Sequence, residues 1–341
     1  RLSTLTFQEK LGSMLDKNRR VEALVARLGE LLGLKSADLK IASEAAKLLK
    51  ADLATQMVVE MTELQGVMGR DYALKEGAEA SVAEAIYEHW MPRAANAPLP
   101  TSPAGTLLAL ADRLDSLVGL FAVGLSPKSN ADPYGLRRAA LGIIQIVTAK
   151  GMDIDLSRLI EKVAAAQPGE VSQASQAEVL DFIAGRLRSW LGEQDWRPDV
   201  LEAVLAAQSH NPTRALQGLR ELTGWVTRPN WEALLDGFAR CVRITRSEAN
   251  RFGITPDAFV DGAERHLFAV YTEALKRLPE AGNVDAFLNA FEPMLPAITD
   301  FFEKVMVNAE EPTIRQNRLG LLQAISALQD GRADLSKLTG F

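Results

Sequence analysis

The sequence predicts an all-α protein of more than one domain, and three observations carry that prediction. Nearly every segment shows the i, i+3, i+4 recurrence of apolar residues that lays one helix face on a core. No alternating run of β-branched and polar residues is long enough to form a strand. At 341 residues the chain exceeds the usual reach of one hydrophobic core, so two or three domains are expected.

Taken in order, Leu24, Leu28, Leu31 and Leu32 mark a helix that Gly33 stops. Ser36 is expected to cap the next, which carries Ala45, Ala46, Leu48 and Leu49. The stretch Glu60 to Ala73 then keeps a helical spacing at Met61, Leu64, Val67 and Met68, yet Gly66 and Gly69 interrupt it. Each glycine costs about 1 kcal/mol relative to alanine inside a helix, so a turn, a close backbone approach or a bound partner must have selected them. Ser81 to Trp90 reads as a helix ended by Pro92, followed by a loop to Pro103 and a strongly apolar helix from Leu107 to Phe121.

Past Pro127, SPKSNADPYGLRRAA reads as a loop with Pro133 at or near a helix start, leading into an apolar helix to Val147. The small and polar run AAAQPGEVSQASQA, from Ala164 to Ala177, is the best domain boundary, and Gly224 and Pro229 suggest a second near Thr223 to Asn230. The expected division is 1–163, a helical body or linker over 164–229, and 230–341.

Composition narrows the function classes. A content of 47% hydrophobic and 24% charged residues is that of an ordinary globular protein. The net charge of −6 argues against non-specific coating of nucleic acid but leaves room for a local basic face. No apolar run of 18 residues and no leader pattern occur, so no membrane association and a cytoplasmic location are expected. The single cysteine, Cys241, suits a reducing compartment and reads as a small core residue rather than a nucleophile, beside Phe238, Ala239 and Val242. The chain starts at Arg1 inside a patterned segment, and a piece of a longer polypeptide is expected.

The strings AAKLLKAD (Ala45 to Asp52) and ALADRLD (Ala109 to Asp115) each end an apolar turn in an aspartate. That layout is similar to HD-domain phosphohydrolases, whose helices hold an H…HD…D metal set. Aligned on it, the histidine positions fall at Lys17 and Ala51, and the aspartates at Asp52 and Asp112. A lysine and a methyl group cannot ligate a divalent ion, so a degenerate HD-like domain with no bound metal and no catalytic residue is expected. His89, between Tyr87 and Trp90, is expected to be an interior hydrogen-bonding residue, and Asp112 and Asp115 to pair with Arg113 or other arginines.

Four further strings together resemble the β subunit of bacterial-type heterotetrameric glycyl-tRNA synthetase: Leu48 to Ala73, Val82 to Pro92, Ala109 to Gly124 and Asp132 to Ile143. The tail from Phe301 to Ile325, closed by ADLSKL at Ala333 to Leu338, is similar to the helical anticodon-binding, DALR-like domain of several synthetases. The resemblance implies a β part that grips tRNA(Gly) while an α part, separate or fused, carries out glycylation with ATP and Mg²⁺. No cofactor is expected in these residues, and a heterotetramer or a fused dimer is implied. A metal-dependent HD phosphohydrolase and a non-catalytic helical adaptor stand as alternatives.

A tRNA-binding face needs cations for phosphates and flat or amide groups for unpaired bases. In the first domain Arg19, Arg20, Arg70, Arg137 and Arg138, with Lys128, are candidates for the acceptor arm. In the last, Arg240, Arg243 and Arg246, with Arg251, form a stripe at helical spacing, and Arg315, Asn317 and Arg318 add guanidinium and amide groups. Arg318 has an internal alternative, a pair with Glu310 or Glu311. Glu63, Gln65 and Arg70 are candidate contacts for tRNA or for the α part.

Overall fold

Residues Thr6–Gln8 (β1) and Gly12–Ser13 (β2) pair as a short antiparallel hairpin ahead of the first helix, a feature too brief to leave a period-2 signal in the sequence. The computed structural model describes residues 1–128, 131–279 and 283–341. Its described residues form sixteen α-helices in two compact units, Arg1–Trp190 with His210–Thr213, and Leu191–Ser209 with Arg214–Phe341.

In the first unit, the Ser13 hydroxyl and the Asp16 carboxylate form a capping box that starts α1 (Met14–Leu31). Gly33, at φ 66°, turns the chain into α2 (Ser36–Leu48). Ser36 is the first residue of that helix and not its cap; Lys35 occupies the cap position without a side-chain bond. Then come α3 (Gln56–Glu60), α4 (Val67–Lys75) and α5 (Ala80–Glu88).

The centre of the unit is α6 (Pro103–Ala122), buried along almost its whole length. It starts a turn earlier than the apolar pattern predicts, because the Ser102 hydroxyl accepts the Gly105 N–H at 2.9 Å and Pro103 occupies the first turn. A helix apolar on every side must be surrounded, and α1, α2, α5, α7 (Leu136–Ala149) and α8 (Leu156–Ala164) pack around it. The Asp132 carboxylate starts α7 by accepting the N–H groups of Leu136 and Arg137 at 2.8 and 2.9 Å. Ser129 and Asn130, within the expected loop before it, lie outside the described residues. The next helix, α9, spans Gln173–Gly192.

The second unit carries α10 (Pro198–Gln208) and most of α11 (Pro212–Val226), then α12 (Trp231–Thr245), α13 (Gly262–Arg277), α14 (Val284–Phe291), α15 (Leu295–Lys304) and α16 (Pro312–Ser326). Gly224 lies inside α11; the break expected there falls instead at Thr227–Asn230. Phe238, Phe287 and Phe291 form its aromatic centre, with ring centroids 5.2 to 6.2 Å apart. One face of α16 holds the segment before the short 3₁₀ turn Pro256–Ala258: the Asn317 amide bonds both the N–H and the C=O of Thr255 at 2.7 and 3.1 Å. Gln323 bonds Phe252 N–H and Asn250 C=O at 3.0 and 2.8 Å. Gly320, between them, leaves no room for a Cβ against the Phe252 and Gly253 carbonyls.

Candidate functional site: a lysine-filled acidic pocket and an arginine-lined helix

In the first unit, α1, the turn after α2, α5 and α6 converge on one buried group of charges. Lys17 Nζ lies 3.1 Å from Asp112 Oδ1 and 3.0 Å from Asp115 Oδ2. It also donates to Ser116 Oγ at 2.8 Å and to the Asp112 carbonyl at 3.0 Å. From the other side, Lys50 Nζ reaches Asp112 Oδ2 at 3.1 Å and stands 4.0 Å from the centre of the Trp90 ring. Lys50 adopts φ 61°, which a lysine enters only under constraint, and that backbone turn directs the side chain inward. Behind them Arg20 grips Asp115 with Nε at 2.7 Å and Nη2 at 3.2 Å.

The electrostatics follow from this geometry. Burial opposes ionisation of Asp112 and Asp115, but Lys17 with Lys50, and Lys17 with Arg20, outweigh it and hold both carboxyls below their ordinary values. For Lys17, burial is likewise outweighed by Asp112 and Asp115, and the ammonium's pKa is raised. For Lys50, burial wins over its single carboxylate and lowers it. His89 is fully buried; burial first and the Lys50 cation second push it well below an ordinary imidazole, so it is neutral. Its Nδ1–H donates to the Ile86 carbonyl, leaving Nε2 to face Lys50 Nζ at 3.5 Å. Burial also pushes Arg113 down to about 10, where it still carries its charge and binds the carbonyls of His89, Trp90, Pro92 and Ala109.

Two expected positions are displaced. Ala51 is exposed, and the residue that enters the pocket is its neighbour Lys50. Asp52 does not face Asp112; its Oδ2 accepts the N–H groups of Gly66 at 2.5 Å and Gly69 at 3.2 Å. That contact explains both glycines. Gly66 has φ 79°, and a Cβ there would overlap the Trp90 ring; one at Gly69 would crowd Ile86 and the Asp52 carboxylate. The expected partners of Asp112 and Asp115 were arginines, whereas lysines supply all of Asp112's ion pairs and one of Asp115's. An ammonium stands between the two aspartates where a metal would need room, and among the described residues no three His, Cys, Asp or Glu side chains are grouped to hold an ion. The residues present therefore do not fit a divalent metal.

A cavity of about 350 Å³ opens beside this cluster. Lys17, Lys50, Arg93, Arg113 and Arg138 contribute cations to its wall, and Asp112 is the one acidic residue among those described that line it. Arg93 is held by the carbonyls of Glu63 and Gln65, and Arg138 is exposed at the first turn of α7. Lys50 and Arg93 were not singled out from the sequence, since only the backbone turn at Lys50 and the chain's return past Trp90 bring them here; Arg113, expected to pair with Asp112 or Asp115, binds backbone carbonyls instead.

The remaining candidates separate into exposed and internal groups. Arg19 is exposed beside Asp16, and Arg70 is half-buried over the Tyr87 ring with Asp71 and Glu84 nearby. Arg137 is half-buried, its N–H held by Asp132, whereas Arg20 is buried on Asp115 and has no face to offer RNA. In the second unit Arg240 lies 4.5 Å from the Phe302 ring centre, and Arg243 and Arg246 lie 5.6 and 5.9 Å from that of Phe341. Arg315 is exposed and pairs with Glu248 at 2.6 Å. Arg318 is buried on Glu264, neither of the two acids expected, and Asn317 is buried on Thr255; both hold the fold together instead of facing solvent. Phe301 is core, and its neighbour Phe302 is the partly exposed one. Cys241 is buried, with its thiol pushed up to about 12 by burial. No helix among the described residues is long and apolar enough to cross a membrane.

The chain is mostly helical, with a filled acidic pocket in its first unit and an arginine-bearing helix in its second, and comparison with known proteins gives its family. The family described as glycyl-tRNA synthetase beta subunit matches residues 1–206, and the chain belongs to that family. The glycine–tRNA ligase beta subunit of Myxococcus xanthus is 40% identical over 352 residues, covering 99% of this chain and 50% of that protein. That of Actinobacillus pleuropneumoniae is 38% identical over 344 residues, covering 99% and 49%. The chloroplastic/mitochondrial glycine–tRNA ligase 2 of Arabidopsis thaliana is 36% identical over 342 residues, covering all of this chain and 32% of that protein. The chain thus spans about half the length of these bacterial relatives.

Proposed function

We propose that this chain is a tRNA-gripping part of glycine–tRNA ligase, non-catalytic by itself, acting with an α subunit or an α part of the same polypeptide that uses ATP and Mg²⁺ to charge tRNA(Gly). The first unit is a degenerate HD-like frame that meets the acceptor arm through Arg19, Arg70, Arg137 and Arg138. The second carries, over residues 230–341, a DALR-like anticodon-binding domain, and the complex works in the cytoplasm. The observation that carries this reading is the α12 face, where Arg240, Arg243 and Arg246 lie beside the partly exposed rings of Phe302 and Phe341. Guanidinium groups interleaved with aromatic rings suit an RNA loop, with phosphates neutralised and unpaired bases stacked.

The test is filter binding of this chain to tRNA(Gly) and to a non-cognate tRNA across a salt series. Preferred binding of tRNA(Gly), weakening as salt rises, is expected. Equal retention of both tRNAs, or none of either, overturns the reading.

A further inference from the structure

We propose that the cavity beside Lys17, Lys50 and Asp112 is a binding site for a nucleoside 5′-phosphate unit, which it holds without hydrolysing.

The first ground is charge. The cavity wall carries five cationic side chains against the single Asp112 carboxylate, in a chain whose net charge is −6. Three of those cations, Lys17, Lys50 and Arg113, are buried. Buried charge is tolerated when paired, and Asp112 is shared between two ammonium groups while Lys17 is shared in turn with Asp115. A phosphate dianion entering here would meet the balance that the protein's own carboxylates leave incomplete. The second ground is the mouth. Arg138 is exposed there with no ion-pair partner among the described residues, so its fork is free to bind a phosphate edge-on. Tyr134, 41% exposed on the same rim, offers a ring face on which a base can stack. The third is size, since about 350 Å³ falls in the range of small-ligand cavities.

Retention without turnover follows from the same residues. The Lys17 ammonium occupies the gap between the two aspartates, and the neutral His89 has its Nδ1–H committed to a carbonyl and its Nε2 turned to Lys50. None of these groups is placed to activate water.

The ligand chemistry has two sources, a free nucleotide or the unpaired end of an RNA strand; the first stands apart from the tRNA reading above, and the second rests on it, with Arg138 common to both. Isothermal titration of the whole chain with AMP, adenosine and inorganic phosphate tests it, with tRNA(Gly) binding measured on the same preparations. Saturable AMP binding, no measurable adenosine binding, and AMP recovered intact are expected. Arg138→Glu, an exposed change, should weaken AMP at least about tenfold with the thermal midpoint unmoved, and Tyr134→Ala, which also gives up an edge contact with the Phe7 ring, several-fold. Competition between AMP and tRNA(Gly) assigns the site to an RNA end; simultaneous binding assigns it to a free nucleotide. Absence of AMP binding, equal binding of adenosine, or indifference to Arg138→Glu overturns the inference, even where tRNA still binds. AMP binding without tRNA binding would instead sink the tRNA reading and leave this site standing.

Discussion

Lys17 Nζ stands 3.1 Å from Asp112 Oδ1 and, on its other side, 3.0 Å from Asp115 Oδ2, so one ammonium group joins two buried carboxylates. Removing it leaves like charges facing each other out of water, the costliest form of a broken buried pair. Lys17→Met is therefore expected to cost about 3–5 kcal/mol, read as a lowered denaturant midpoint at unchanged slope. A loss under about 1 kcal/mol would show that the ammonium is not the counter-charge.

The same pairing sets an acid limit. Asp112 and Asp115 are held below the ordinary 3.8, so they bind fewer protons folded than unfolded near that value. Their contribution is fully present above pH 3.8 and is lost as pH falls through the lowered folded values. In Lys17→Met the carboxyls rise toward or beyond 3.8, and the acid unfolding limb of the first unit should move to higher pH. A pH titration of unfolding for both proteins checks this; coincident limbs would refute it.

Asp52→Ala leaves the N–H groups of Gly66 and Gly69 without their acceptor and is expected to cost about 1–3 kcal/mol. Asp52→Asn, which keeps an acceptor oxygen, should cost less. Gly66→Ala should exceed the usual penalty of about 1 kcal/mol for replacing a left-handed glycine, because the new methyl meets the Trp90 ring. Thermal melts of the three variants give the order.

Arg318→Met and Arg246→Glu should give opposite signatures. Breaking the buried Arg318–Glu264 pair is expected to lower stability by about 3–5 kcal/mol while tRNA affinity per folded molecule stays unchanged. Arg246→Glu, on an exposed side chain, should leave the melting temperature within error, weaken tRNA binding and reduce the salt slope by about one. Loss of affinity in the first variant without unfolding would reverse the assignment.

Cys241 should resist alkylation in the native protein at pH 8, since its buried thiol is pushed up to about 12 and holds almost no thiolate. Labelling by iodoacetamide under partial denaturation should track unfolding of the second unit. Fast native labelling would contradict the burial.

Most of the helical framework was legible because helix periodicity survives in single sequences: α1, α2, α6 and α7 lie where the leucine and isoleucine spacing put them. The interruptions were less legible. The glycines of 66–69 signalled a constraint, but its agent, the Asp52 carboxylate, is fourteen residues from Gly66 and has no local pattern. Lys50 was overlooked in favour of Ala51 because a left-handed backbone residue shifts the facing position by one, and helical phase cannot foresee it. Arg20 read as a surface cation and Arg318 was matched only to the nearby Glu310 or Glu311, since a lone charge on a helix gives no sign of a partner 95 or 54 residues away.

The contact from Asp52 to Gly66 and Gly69 also bears on how this chain can change. The Asp52 carboxylate is the fastening of a turn, and the turn in turn fixes two glycines against Trp90 and Ile86. Histidines introduced at 17 and 51 would thus find the nearby Asp52 carboxylate already engaged elsewhere, and freeing it would unfasten the turn. Any sequence change that recruits Asp52 to new chemistry therefore passes first through a loss of stability, so the turn locks this position.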